Sequence, residues 1–236
     1  DMNAQAYFAY DAKKSRGLTV SHLRFGRQSI HSSYLIDKAD FVACHNQTYV
    51  HQYDLLAGLK PGGTFLLNCL WDTEDLDGAL PAQMKRFLAR NRIKFYTVNA
   101  VKIARELGLG ERINTVTQAA FFKLSGILPT EEAMEYLKKA VVSSYAKQGQ
   151  TVIDKNFAAL DRGMEDLVPV EVPAEWADAK DMSNRPRESL PDFIENVTMV
   201  MNRQEGDSLP VSTFNGREDG SFPMGTTAYE KRGIAQ

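Results

Sequence analysis

Between positions 41 and 110 short apolar runs alternate with amphipathic stretches, and this alternation constrains the fold more than any other feature of the chain. The runs at 41–44, 64–70 and 94–98 read as strands. Helices are expected between and after them. Residues 47–59 place Tyr49, Val50, Tyr53 and Leu56 on one face and stop at Gly58; Pro61-Gly62-Gly63 then turns the chain into the next strand. Residues 81–92 turn Met84, Phe87 and Leu88 inward, and residues 100–107 form a third helix ended by Gly108 and Gly110. Strand and helix in regular succession predict an α/β fold, a mostly parallel, doubly wound sheet flanked by helices.

A helical layer is expected next, because three periodic stretches follow without strands between them. The first, 113–128, is strongly apolar. Thr130 is positioned to cap the second, and Glu131 and Glu132 suit the positive end of its dipole. Its buried stripe is Met134, Leu137, Val141 and Tyr145; the third helix, 150–167, repeats the pattern with Ile153, Phe157, Leu160, Met164 and Leu167. After Val168 periodicity is lost, and a stretch rich in Pro, Asp and Arg reads as a connector. One short helix is expected at 191–201. The remainder reads as an extended, largely irregular C-terminal segment that lies along another surface, anchored by Phe214, Phe222 and Tyr229.

Ahead of the alternating region, two apolar strands at 6–10 and 18–25 flank a loop holding Lys13, Lys14, Arg16 and Gly17. A cationic, glycine-containing loop is a natural cradle for a phosphorylated ligand through charge-assisted hydrogen bonds. The competing reading is a solvated loop. In open parallel sheets ligands bind outside the carboxyl ends of the strands. That rule selects Cys44-His45-Asn46-Gln47, Asn68-Cys69-Leu70-Trp71, and Asn99. The amides of Asn46, Gln47, Asn68 and Asn99 can read a base or a pantetheine-type amide without adding charge; equally, they serve as caps and turn residues. Arg112 and Asn114 stand at the start of the apolar helix, where Arg112 either reaches an anion or is a surface charge. The expected site joins the hairpin loop to the mouth of the sheet.

Composition excludes other classes. With 28 Lys+Arg against 30 Asp+Glu there is no basic excess to neutralise a nucleic acid backbone. No apolar run approaches the roughly 20 residues of a membrane span. Position 1 is Asp, and the first residues lack the pattern of a signal peptide, so a segment of something longer is expected. Cys44 and Cys69 suggest a reducing compartment, and two thiols fall short of the four or so that an iron–sulfur cluster needs. Cys44 and His45 point to opposite faces of their strand, and His22, His31 and His51 show no ligand spacing, so no metal site is assigned. No catalytic residue is assigned either, and the acidic run Asp72, Glu74, Asp75 and Asp77 reads as a solvated helix start. The turn at 60–64 is similar to one in S-adenosylmethionine methyltransferases, but neither their glycine-rich loop nor a dinucleotide fingerprint follows a strand.

Six motifs in order carry a resemblance: AYFAYDAKKSRGLTVSHLRFG, KADFVACHNQTYV, LKPGGTFLLN, KFYTVNAVKIARELGLGERIN, TQAAFFKL and DGSFPMGTTAYEKRG. Together the sequence resembles the gamma and EKR domains of pyruvate:ferredoxin (flavodoxin) oxidoreductases. The resemblance implies a gamma domain over 1–176, lacking an upstream strand and glycine-rich turn, and a connector with the EKR domain over 177–236. It implies a cytoplasmic, homodimeric enzyme that oxidises pyruvate to acetyl-CoA and CO2 and passes electrons to ferredoxin or flavodoxin. Thiamine diphosphate, Mg and [4Fe-4S] clusters are implied for the full enzyme but not for this segment, whose implied ligand is coenzyme A. Lys13, Lys14, Arg16, Gly17, Asn46, Gln47, Asn99, Arg112 and Asn114 are its candidate contacts. Arg16 stands where related sequences often have glycine. Two other readings stay open: a docking module without a ligand, motivated by the tail, and an independent nucleotide- or S-adenosylmethionine-binding enzyme.

Overall fold

The computed structural model describes residues 2–10, 17–181 and 190–229. The chain divides into two compact units, one formed by Asp37–Met182 and the other by Asp1–Ile36 together with Ser183–Gln236.

The second of these contains the hairpin. Strands β1 (Asn3–Tyr10) and β2 (Thr19–Gly26) pair antiparallel in unbroken register, from Asn3 opposite Gly26 to Tyr10 opposite Thr19. Cross-strand partners share a face and neighbours alternate. One face carries Asn3, Gln5, Tyr7, His22 and Arg24, and residues 27–36 bind to it. Asn3 Nδ2 donates to the Arg27 carbonyl at 3.3 Å, and Gln5 Nε2 donates to that of Ser32 at 2.6 Å. Arg24 donates to Gln5 Oε1 at 2.9 Å and the Tyr34 carbonyl at 2.6 Å, and it also lies over the Tyr34 ring. The Ile36 amide donates to His22 Nδ1 at 3.2 Å, which requires a neutral ring; burial and the adjacent Arg24 lower the His22 pKa in the same direction.

In the larger unit, β3 (Ala39–Cys44), β4 (Leu59–Asn68) and β5 (Lys94–Val98) lie parallel in that order, and β6 (Val168–Val170) closes the edge antiparallel to β5. Gly62 and Gly63 shape the start of β4. Gly62 adopts φ +74°, and a Cβ on Gly63 would meet the Lys60 carbonyl oxygen at 2.8 Å. Alternation along the strands sends Phe65, Leu67 and Phe95 to one face and Leu66 and Val98 to the other. On the first face lie α1 (Leu76–Ala79) and α2 (Ala82–Arg90), contributing Leu76, Met84 and Leu88, with the Phe65 and Phe95 rings stacked at 5.4 Å. On the second lie α3 (Ala100–Glu106) and α4 (Asn114–Ser125); α5 (Thr130–Tyr145) and α6 (Gln150–Glu165) follow. Here Ile103, Val116, Ala120 and Ala159 meet the sheet, while α5 packs Leu137 and Val141 onto Ile153, Leu160 and Met164 of α6. Each such fully buried Leu or Phe contributes roughly 1.5–3 kcal/mol of transfer free energy. The fold is thus α/β, with a mixed, mostly parallel four-stranded sheet flanked by helices.

Several elements depart from the sequence expectation. The helix expected over 47–59 is only a 3-10 turn, Gln47–His51, because Asp54 Oδ1 accepts from the Leu56 amide and competes with helical hydrogen bonding. Thr130 does not cap α5. It lies within the helix, and Pro129, with extended ψ 137°, precedes it. The connector holds an edge strand, β6, and a 3-10 turn, Ala174–Asp178, which buries Trp176. The Trp176 indole donates to Asp77 Oδ1 at 2.8 Å, so Asp77 is not merely solvated; Lys85, then Trp176, hold its carboxyl below the ordinary value. In the C-terminal segment a π-helical stretch, Ile194–Thr198, runs into α7 (Met199–Asn202), and among the described residues only 3-10 turns follow. There Phe222 meets the Phe193 ring edge-on at 5.6 Å, and Arg217 covers Phe193 at 5.1 Å. Among the described residues no helix is long and apolar enough to cross a membrane.

Candidate functional site at the carboxyl ends of the parallel strands

Three parallel strands end side by side, and amide side chains tie their ends together. Asn68, the last residue of β4, is 6 % exposed. Its Nδ2 donates to the His45 carbonyl just past β3 at 3.0 Å, and its Oδ1 accepts from the Ala100 amide just past β5 at 2.9 Å. Gln47 Oε1 accepts from the Leu70 amide at 2.7 Å. Asn46 Oδ1 caps the 3-10 turn, accepting from the Thr48 amide at 3.1 Å and its hydroxyl at 2.9 Å. Asn99 Oδ1 caps α3 by accepting from the Lys102 amide at 2.9 Å. The backbone partners fix which amide atom is oxygen and which nitrogen.

The amide oxygens are therefore committed to the fold. The side-chain NH2 groups of Asn46, Gln47 and Asn99 have no partner among the described residues. Neighbouring strands lie about 4.8 Å apart, so the ends of β3 and β5 that lead into these residues are separated by roughly 10 Å, with β4 between them. What they offer is hydrogen-bond donation to phosphate or carbonyl oxygens, without charge. Cys44 and Cys69 lie buried beneath the same strand ends. Burial raises the Cys44 thiol, and burial above all pushes Cys69 up to about 11, so neither is a thiolate at neutral pH. Among the described residues no group of three His, Cys, Asp or Glu side chains could hold a metal ion.

Arg112 and Asn114 are not part of this cluster. Helix α3 leaves the end of β5 and carries the chain seven residues on, about 10 Å of helix axis, to the glycines before them. There a shallow cavity of about 620 Å³ is lined by Gly108, Gly110, Arg112, Val152 and Lys155. Lys155 Nζ lies 3.4 Å from the Gly108 carbonyl. Lys155 was not singled out in the sequence; it sits far along the chain on α6, and the paired glycines were the only local hint of a loop it could approach. Asn114 opens α4, and its carbonyl accepts from the Thr117 hydroxyl at 3.1 Å. Gly17 is half-buried ahead of β2. Lys13, Lys14 and Arg16 lie outside the described residues, as does the expected meeting of their loop with the sheet.

Residues 1–166 match the family described as pyruvate ferredoxin/flavodoxin oxidoreductase, and residues 180–235 match the EKR domain, described as a domain of unknown function. The chain is 58% identical over its whole length to a pyruvate-flavodoxin oxidoreductase of Enterobacter agglomerans and 54% identical to a pyruvate:ferredoxin oxidoreductase of Moorella thermoacetica. It spans 20% of the length of each. Among solved structures, a pyruvate oxidoreductase subunit of Thermotoga maritima superposes on 72% of this chain and 83% of its own with TM-score 0.54 at 24% identity, a likeness of fold. A family match over most of the chain leads to one conclusion: the chain belongs to the pyruvate ferredoxin/flavodoxin oxidoreductase family.

Proposed function

We propose that this chain is the coenzyme A-holding part of an enzyme that oxidises pyruvate to acetyl-CoA and CO2 and delivers the electrons to ferredoxin or flavodoxin. In this reading 1–176 form the gamma domain and 177–236 the connector and EKR domain. Thiamine diphosphate with Mg, and the [4Fe-4S] clusters, belong to the rest of a homodimeric enzyme and supply the decarboxylation and electron chemistry. This chain binds and orients. Holding the nucleotide end of coenzyme A away from the reacting carbon positions the thiol and lowers the entropic cost of the encounter.

The observation that carries the proposal is the set of three uncommitted NH2 donors, on Asn46, Gln47 and Asn99, at the carboxyl ends of adjacent parallel strands. They suit phosphate or pantetheine carbonyl oxygens. Lys13, Lys14 and Arg16 would add the charge that the nucleotide phosphates call for.

The test uses Asn99→Asp in the full-length enzyme. Aspartate preserves the helix cap but replaces the free donor with an anion. Calorimetry with coenzyme A is expected to show affinity reduced about tenfold or more, the loss of a hydrogen bond to a charged group, with the melting temperature unchanged. Lys13→Ala combined with Lys14→Ala is expected to raise the KM for coenzyme A more than that for pyruvate. Unaltered coenzyme A affinity in both variants would remove these residues from the ligand site.

A further inference from the structure

The segment after α7 repeats itself. Ser208-Leu209-Pro210-Val211-Ser212-Thr213 recurs thirteen residues on as Ser221-Phe222-Pro223-Met224-Gly225-Thr226, a pattern of Ser, apolar, Pro, apolar, small, Thr. The two copies fold alike at the proline. The Thr213 amide donates to the Pro210 carbonyl at 2.9 Å, and the Thr226 amide to the Pro223 carbonyl at 3.3 Å. Each bond closes a turn that has the residue after proline at its corner. That corner residue is apolar in both copies and bare in both. Val211 is 92 % exposed and Met224 fully so, more than any other large apolar side chain among the described residues.

The backbone between the two corners is held by further turns: the Arg217 amide donates to the Phe214 carbonyl at 2.9 Å and the Gly220 amide to the Arg217 carbonyl at 3.0 Å. Arg217 and Phe222 both rest on the Phe193 ring. Yet none of residues 203–229 is buried. An ordered segment without a core of its own needs cover from elsewhere, since burial is what offsets the entropy of ordering. The cover is apolar, because Val211 and Met224 offer neither a donor nor a charge. A separate molecule is a poor occupant. Two such side chains bring on the order of 200 Å² of apolar surface, whereas a standard interface between separate molecules needs about 800 Å² per partner. A surface on the same chain needs far less, because its effective concentration is in the millimolar range. The relatives that align with the whole of this chain are about five times as long, since it covers 20% of them, so such a surface is available in the same polypeptide.

We infer that the repeated turn is a two-point docking element, whose Val211 and Met224 enter two apolar sockets on the remaining polypeptide of the same enzyme. Two contacts fix the orientation of the segment, where one would leave it free to pivot. The inference rests on the proposal that this chain works within a longer oxidoreductase.

The experiment places p-benzoylphenylalanine at Val211, and separately at Met224, of the full-length enzyme. Glu218 is the control, exposed and lying between the two copies of the turn. After irradiation, mass spectrometry is expected to find both positions joined to peptides of the same polypeptide outside residues 1–236, several-fold more than from Glu218. A second measurement uses Val211→Asp and Met224→Asp in the same enzyme. Were these side chains in water the substitutions would be silent; seated in apolar sockets, each is expected to speed amide hydrogen exchange in residues 203–229 several-fold. Products confined to residues 1–236, products of twice the chain mass that bridge two copies, capture from one position only, equal capture from Glu218, no product at all, or unaltered exchange in both variants would overturn the inference. Pyruvate oxidation and coenzyme A binding by the unirradiated preparation report separately on the functional reading.

Discussion

Cys69 is a free thiol in the environment of a core residue. It is 3 % exposed, and its thiol is pushed from the ordinary 9.0 to about 11, mainly by burial, with the neighbouring Cys44 and Asp72 acting in the same direction. At neutral pH its thiolate fraction is about a hundredfold below that of an unperturbed thiol. Alkylation of the native protein by iodoacetamide at neutral pH is therefore expected to be correspondingly slow at Cys69. The same shift sets a pH dependence. Between pH 9 and about 11 the unfolded thiol has lost its proton while the folded one keeps it, so stability contributed by the buried thiol is present below 9 and falls across that window. The stability difference between wild type and Cys69→Ala, followed by urea denaturation, should change across this range and be flat below it. Rapid native labelling, or a difference that does not vary with pH, would contradict the assignment. At this scale the sequence was half informative. It marked Asn46, Gln47, Asn68 and Asn99 as residues at the strand ends. That each amide spends its oxygen on a backbone N–H, and that three keep a free NH2, depends on distances no spacing encodes.

Packing between elements turns on Gly163. It lies in α6 where that helix crosses α4; a Cβ there would run into the Val116 carbonyl oxygen, with the Val116 Cα at 3.0 Å and the Ala119 Cβ at 3.1 Å. Alanine gains about 1 kcal/mol of helix propensity over glycine. Here that gain is set against backbone that cannot move without separating the helices, an overpacking cost of about 1–3 kcal/mol and occasionally more. Gly163→Ala is expected to lower the unfolding free energy by about 1–2 kcal/mol, measured by urea denaturation, whereas a stabilised variant would show that the helices can part freely. The helices were legible because their apolar residues recur at helical spacing over a dozen residues or more. The glycine contact was not, because nothing local separates a close crossing from an ordinary small residue. Short elements failed for related reasons. Strand β6 is three residues with Pro169 at its centre, which an edge position tolerates but which breaks any strand pattern. The apolar residues at 47–59 suggested a helix, yet Val50 and Leu56 are buried by a loop that folds over the sheet.

For the molecule as a whole, the decisive segment is the one that reads as a linker. Residues 168–181 strap the α2 face of the larger unit: Val170 and Trp176 are buried there at 8 % and 5 % exposure, and Val172 packs against the same cluster. Arg86 donates to the Ala179 carbonyl and Arg90 to that of Ala177 at 2.8 Å, which fastens the strap to α2. The loss of periodicity in a stretch read as rich in Pro, Asp and Arg hid this role, since Trp176, Val170 and Val172 carry the apolar contact. The family match over 1–166 stops short of the strap, although the compact unit runs to Met182. Because that unit has its own sheet and its own core on both faces, residues 37–181 are expected to fold alone. Residues 37–167 are expected to lose β6, the indole bond to Asp77 and the cover over Phe95, Met84 and Leu88. Removing a buried Trp alone costs about 3–5 kcal/mol, a large share of the 5–15 kcal/mol that holds a domain together. Far-ultraviolet circular dichroism during urea denaturation should therefore show a cooperative transition for 37–181 and a strongly weakened or absent one for 37–167. Equal stability of the two fragments would mean that the strap rests on a core already complete without it.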